Sequence, residues 1–324
     1  MRPIFKWMNG SARVLVPAMT IWSWSSCCAY GQDVASTSAL VEEAEHWFYA
    51  FSVPDHIDRV ESVLDRLEQI GSNEPYLHWA RGRCAFWRKE ELYLLETPET
   101  RNQYTRRKLE LAGDCHRHAD ECVRLAPKNP ECYLVKGACY SMQASTWGAK
   151  LKSLRIAKPM DLAWEKAMEL PSDFHHPDGY TTRQYAAVFR GALHRILPDS
   201  FWFRFFAGIR GNKERAYRWA KEGVVGIVAK EPAGILELAA TTICYGIDKK
   251  KPAKVQEGLE LLTTGESLPS RYGLDDLDKQ NMKRLTDHYE QACGYRREQF
   301  EDLARAKFDD DDAATDEERK PKTD

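Results

Sequence analysis

The stretch from Cys115 to Pro171 constrains the fold more than any other part of the chain. A helical pattern closes in Leu125, Ala126 and Pro127, and only Lys128 and Asn129 stand before Pro130 opens a second helix. Proline suits a helix's first turn, where its missing N–H would have no intrahelical partner. Tyr133, Gly137 and Tyr140 then follow at spacings that share one helix face. So short a gap between two helices predicts an antiparallel hairpin.

Cysteines sharpen this expectation. Cys122 and Cys132 lie equally far on either side of Pro127, and so do Cys115 and Cys139. Across an antiparallel hairpin such positions face each other, Cys122 with Cys132 near the turn and Cys115 with Cys139 two turns away. Two readings stand. The pairs are disulfides, which requires Cα atoms within about 7 Å, closer than most helix pairs run; or they are four small buried residues that permit close packing. The four sulfurs spread too far along the helices for one tetrahedral metal.

The hairpin resembles the tetratricopeptide repeat, in which an aromatic, a Gly and a Tyr mark the first helix and a Pro closes the second. Tyr133, Gly137 and Tyr140 take the first set of places and Pro127 the last; Cys115, Ala119 and Cys122 take small or core places on the preceding helix. The punctuation recurs. Ala167 to Pro171 repeats the ending, as does Ile227 to Pro232, with Ala220 at a small-residue place. Leu238, Thr242 and Tyr245 mark a further first helix, with Thr242 where Gly is expected, and Tyr76, Trp79, Gly82 and Trp87 mark an earlier, poorer one. The expected fold is all-α, an irregular tetratricopeptide-like solenoid of antiparallel helix hairpins over residues 36–300.

The 324 residues are 43% hydrophobic, enough for a sizeable core, and the net charge of −2 carries no electrostatic footprint for nucleic acid. Residues 1–31 read as a signal peptide or N-terminal anchor: Arg2, Lys6 and Arg13 precede a modest apolar run, and Ala29-Tyr30-Gly31 is a small-x-small cleavage pattern. Cys27 and Cys28 are lipidation candidates. Cleavage after Gly31 leaves seven Cys, which in an exported chain invites disulfides. Residues 301–324 are acidic and read as a disordered tail.

Between these ends, Thr37 or Ser38 is expected to cap a first helix carrying Leu40, Ala44, Trp47 and Phe51, and Asp55 to cap a second. Two segments depart from a plain repeat. Trp147 leads into a basic stretch with Lys150, Lys152, Arg155 and Lys158, ahead of Pro159 and a closing helix from near Asp161. That stretch reads either as an extended helix with a wet basic side or as a patch facing an acidic partner or anionic ligand. Residues 198–211 read as a loop over one end of the array, with Phe201, Trp202, Phe203, Phe205 and Phe206 as a binding rim. The last helix is expected from Leu274 to Phe300.

Catalytic signatures are sparse. His175, His176 and Asp178 form a compact group of metal-ligand type but lack a fourth ligand. The sequence has no phosphate-binding loop, no Rossmann glycine fingerprint, no HExxH and no GxSxG. No catalytic residue, metal or cofactor is expected.

The order of features is more specific than any one of them. A Gly137-Ala138-Cys139-Tyr140 helix precedes Trp147-Gly148 and the basic stretch. Trp164 to Pro171, a helix ending in Leu197-Pro198, and Gly211-Asn212-Lys213 follow. This order resembles the TatT family, exported tetratricopeptide-like T-components associated with TRAP transporters. The resemblance covers roughly residues 36–265. It implies a non-enzymatic periplasmic or envelope-associated scaffold that binds a periplasmic solute-binding protein and passes a small organic acid or apolar ligand through a cavity. A general repeat adaptor for envelope assembly, with no transport role, is the alternative.

Overall fold

The computed structural model describes residues 28–296, apart from 72, 73, 97–99, 149, 150, 173, 175, 177, 178, 226 and 227. The described residues form twelve α-helices and no strand. They are α1 (Cys28–Phe48), α2 (His56–Gln69), α3 (Pro75–Leu95), α4 (Arg101–Leu125), α5 (Pro130–Trp147) and α6 (Leu151–Glu169). Then follow α7 (Thr182–Ile196), α8 (Phe201–Ala207), α9 (Lys213–Gly223), α10 (Pro232–Asp248), α11 (Pro252–Glu266) and α12 (Gly273–Asp287).

Successive helices pack in pairs: α1 with α2, α3 with α4, α5 with α6, α7 with α9, α10 with α11. The first members, α3, α5, α7 and α10, also pack one on the next, and α10 on α12. The array curls until its end meets its beginning. Helix α12 touches α3, Tyr272 stacks on Phe51 with ring centroids 5.1 Å apart, and Gly273 lies against Leu94.

The core follows this path as linked clusters of buried residues, one at each stage. Small residues set the helix spacing. A Cβ on Gly137 would stand 2.2 Å from the Trp164 indole nitrogen, so only glycine lets α6 seat that ring against α5.

Both cysteine pairs of the α4–α5 hairpin are joined, Cys115 to Cys139 with Cα atoms 5.4 Å apart and Cys122 to Cys132 with Cα atoms 5.3 Å apart. A third disulfide, Cys244–Cys293, ties α10 to the residues after α12. Disulfide use of this kind fits an oxidising compartment outside the cytoplasm. Buried Cys84 stays a thiol, and burial pushes its pKa up to about 12. No helix among the described residues is long and apolar enough to cross a membrane.

Several expectations are corrected. Helix α1 begins at Cys28 and runs through Thr37 and Ser38, which therefore do not cap it; no proline interrupts the residues before them. It ends at Phe48, so Phe51 lies in the following turn. Asp55 holds the N-cap place, but its carboxylate accepts from Arg59 Nε (3.1 Å) and makes no cap bond. Helix α6 starts at Leu151, ten residues before the expected start at Asp161, and passes through Pro159. An interior proline costs a helix about 3 kcal/mol; buried Ala157, Met160 and Trp164, packed in one cluster with residues of α5 and α7, outweigh it.

Residues 201–207 are not loop. Ser200 caps α8 by accepting from the Phe203 N–H (3.2 Å), and Gly208 ends it in the left-handed region at φ 68°. Helix α12 ends at Asp287 rather than Phe300, and a 3-10 turn, Tyr289–Gln291, brings Cys293 to Cys244.

Candidate functional site

The inner helices of the curled array enclose two adjoining cavities. The larger, about 460 Å³, is bounded by α3, α5, α6, α7, α8, α10 and α12. The smaller, about 230 Å³, lies toward α1, α3 and α5 and shares Phe86, Tyr185, Phe189, Glu231 and Ala233 with the larger. The pair falls in the size range of small-molecule sites.

Leu154, Ala157, Met160 and Trp164 of α6, Val188 and Phe189 of α7, and Leu236 of α10 give the larger cavity an apolar wall. Charged side chains also stand in its wall, in paired groups. Lys89 is 2% exposed and pairs with Glu90 at 3.2 Å. Arg195 is 1% exposed and grips Glu237 through two bonds of 3.0 and 2.9 Å. It also donates to the carbonyls of Ala292 and Tyr295, at 2.8 and 2.9 Å. Arg195 therefore fastens the C-terminal segment across the cavity, where Tyr295 and Arg296 form part of the wall.

The smaller cavity is aromatic, with Phe48, Phe51, Trp79, Trp87 and Tyr272 in its wall. A buried polar string crosses it. Tyr76 Oη donates to Glu45 (2.7 Å), and Arg83 donates to Glu45 (2.9 Å) and to Tyr49 Oη (3.2 Å). Tyr49 Oη shares a hydrogen bond with His176 Nδ1 (2.8 Å), and His176 Nε2 faces Glu131 at 3.6 Å. Glu131 accepts from Ser172 (2.9 Å) and from Thr182.

Local structure explains why a carboxylate survives there. Glu131 occupies the first turn of α5, where the helix dipole favours negative charge. Burial alone would raise its pKa; the nearby His176 imidazole and the hydroxyl bonds from Thr182 and Ser172 outweigh burial and hold it below the usual glutamate value. Asp161 behaves alike. Burial pushes it up, but His194 (3.0 Å) and Arg190 (2.6 Å) prevail and keep it low.

The residues picked from the sequence fall into three places. Phe203 lines the larger cavity, while Phe201 and Phe205, on the same short helix, are 69% and 71% exposed. Trp147 is half-buried at the end of α5, with the Lys152 ammonium 5.0 Å from its ring centroid. Lys152, Arg155 and Lys158 line the exposed side of α6, so the basic stretch from Leu151 on is helical and presents its cations outward. Lys158 lies against Gly208, just past α8. Lys150 and Cys27 lie outside the described residues, as do the side chains of Trp202, Phe206 and Cys28.

His176 reaches the polar string, but His175 and Asp178 lie outside the described residues. Among the described residues no three His, Cys, Asp or Glu gather as a metal group.

Sequence reasoning missed Arg83, Lys89, Glu131, Arg195 and Glu237. The signal was a charge in the register of a buried stripe. In α7, Ala186, Arg190, Leu193 and His194 share the buried side, and a charge there must find a partner inside. No protein-family model matches the chain, and no curated protein matches it in sequence.

Proposed function

We propose that this protein is a non-enzymatic exported helical-repeat scaffold, an irregular tetratricopeptide-like solenoid that binds a periplasmic protein partner and holds a small ligand at its centre. The observation that carries this reading is the curled array itself. Its inner helices leave a largely apolar cavity of about 460 Å³ with paired charges in its wall, instead of filling the space with side chains. Such a chamber suits a molecule with an apolar body and a polar end. The polar string around Glu131 and His176 supports a holding role, because its members engage one another and tie the start of α5 to the start of α7.

The resemblance to the TatT family points to the solute-binding protein of a TRAP-type transporter as the partner, in the periplasm or at the envelope. Gentle purification from the native envelope, with mass spectrometry of what accompanies the chain, tests this. Recovery of a TRAP-type solute-binding protein is the expected result. Recovery of envelope-assembly proteins alone would replace the transport role with that of a general repeat adaptor.

A further inference from the structure

Among its described side chains, helix α8 presents two aromatic rings to water and one to the cavity. Phe201 and Phe205 stand one turn apart at 69% and 71% exposure. Phe203, on the opposite side, lines the larger cavity beside Leu197 and Pro198, and Ala207 is buried. Cations surround the exposed pair. Arg204 is exposed between the two rings, and Arg210 is exposed after the turn, 3.6 Å from Asp199. Helix α6 packs on α8, and its Lys158 lies against Gly208; Arg155 and Lys152 continue the exposed side of α6 at one-turn steps. Asp199, the partner of Arg210, is an acid beside this group. Leu162, 51% exposed, extends the apolar component along α6.

On a chain with net charge −2, this is a local cationic field around protruding apolar rings. Its complement is an anionic surface with an apolar layer beneath. A bilayer interface accepts Phe side chains without a matching pocket, while Lys and Arg stay at headgroup level. A protein partner would need a concavity shaped to a helix of less than two turns. We infer that the face formed by Phe201 and Phe205 with Lys152, Arg155, Lys158 and Arg204 docks on an anionic phospholipid membrane. Docking there places the wall of the apolar cavity next to lipid, a short route for an apolar ligand. The docking itself stands whether or not the cavity holds one.

The test is co-sedimentation of the full chain with vesicles of phosphatidylcholine alone or mixed with phosphatidylglycerol, at low and high salt. Two variants accompany the wild type, F201S/F205S and K152S/R155S/K158S, each checked by thermal melting. Wild type is expected to sediment with the mixed vesicles and to be released by salt. Each cation removed should weaken partitioning about fivefold, and the double Phe variant should stay in solution. Wild type remaining in solution with mixed vesicles overturns the inference. So do variants that sediment like wild type, since the binding would then lie elsewhere in the chain. If F201S/F205S sediments normally but loses an acidic protein partner, the face is a protein interface and membrane docking is wrong.

Discussion

Helices α4 and α5 meet across a turn at Pro127 and Lys128 and are joined by sulfur at two levels. Helices α7 and α9 meet across an excursion that contains α8 and are joined by polar contacts. There, Lys213 Nζ donates to the carbonyls of Arg195 (2.7 Å) and Leu197 (2.5 Å) at the end of α7, and Asn212 caps α9. Gly191 and Gly223 let the two backbones approach, each within contact distance of the other helix. Arg190 and His194 tie α7 to Asp161 and Glu165 of α6. The contrast shows two ways to hold a repeat. Covalent links suit the hairpin that only has to be rigid. Polar links suit the pair from which the chain must leave, line a cavity with Phe203, and return.

The contrast breaks most visibly at Arg195. R195M leaves the partly buried Glu237 and two backbone carbonyls without their cation, at a cost of about 3 kcal/mol in urea unfolding. Wild-type stability in this variant would mean that the polar region does not depend on its charges. Next comes the covalent region. C115A/C139A opens a loop with a sequence separation of 24, and should lose about 3 kcal/mol. Reductant should then destabilise the wild type more than the variant.

Gly137 sharpens the steric side. G137A drives a Cβ into the Trp164 indole and should cost about 1–3 kcal/mol. G113A, at an exposed helical position with nothing within 4 Å, should instead stabilise by up to about 1 kcal/mol. Equal effects of the two would remove the account of close α5–α6 packing.

Glu131 joins the two regions, reaching from α5 to Thr182 of α7. Its folded pKa is depressed, so its contribution is present above the unfolded value near 4.5 and is lost as pH falls through the folded value. Unfolding free energies between about pH 6 and pH 3 should fall less steeply for E131Q than for wild type. Parallel curves would contradict the assignment. The smallest stability effect is expected at α8, where F201S/F205S should move the unfolding free energy by no more than about 0.5 kcal/mol.

Much of the covalent region was legible. Proline punctuation located the α4–α5 turn, and equal distances from Pro127 showed which cysteines face each other, with bridges and close packing both open until the Cα separations decided. The third bridge was not legible, because Cys84, Cys244 and Cys293 remained and nothing local chooses among them. Curling of the array decides, bringing Cys293 to α10 and leaving Cys84 buried beside α2. The run of α6 through Pro159 was hidden for a similar reason. Local propensity argues for a break, and burial of Met160 and Trp164 overrides it. The cavities were hardest to see. They exist because α12 returns to α3, a contact between distant parts of the chain that no hairpin pattern encodes. The sequence holds ten Trp and fourteen Tyr, but which rings face inward, such as Trp79, Trp87 and Phe189, depends on that closure.

Native mass spectrometry of the gently purified chain tests the central claim, that the closed array holds a small amphiphile. Wild type should carry a releasable small molecule. A157W and L193W, which place an indole in the larger cavity, should carry none while keeping the wild-type helical spectrum. A wild-type chain that is empty as isolated and takes up no medium-chain carboxylate when offered one would contradict the account, as would cavity-filled variants that bind as well as wild type.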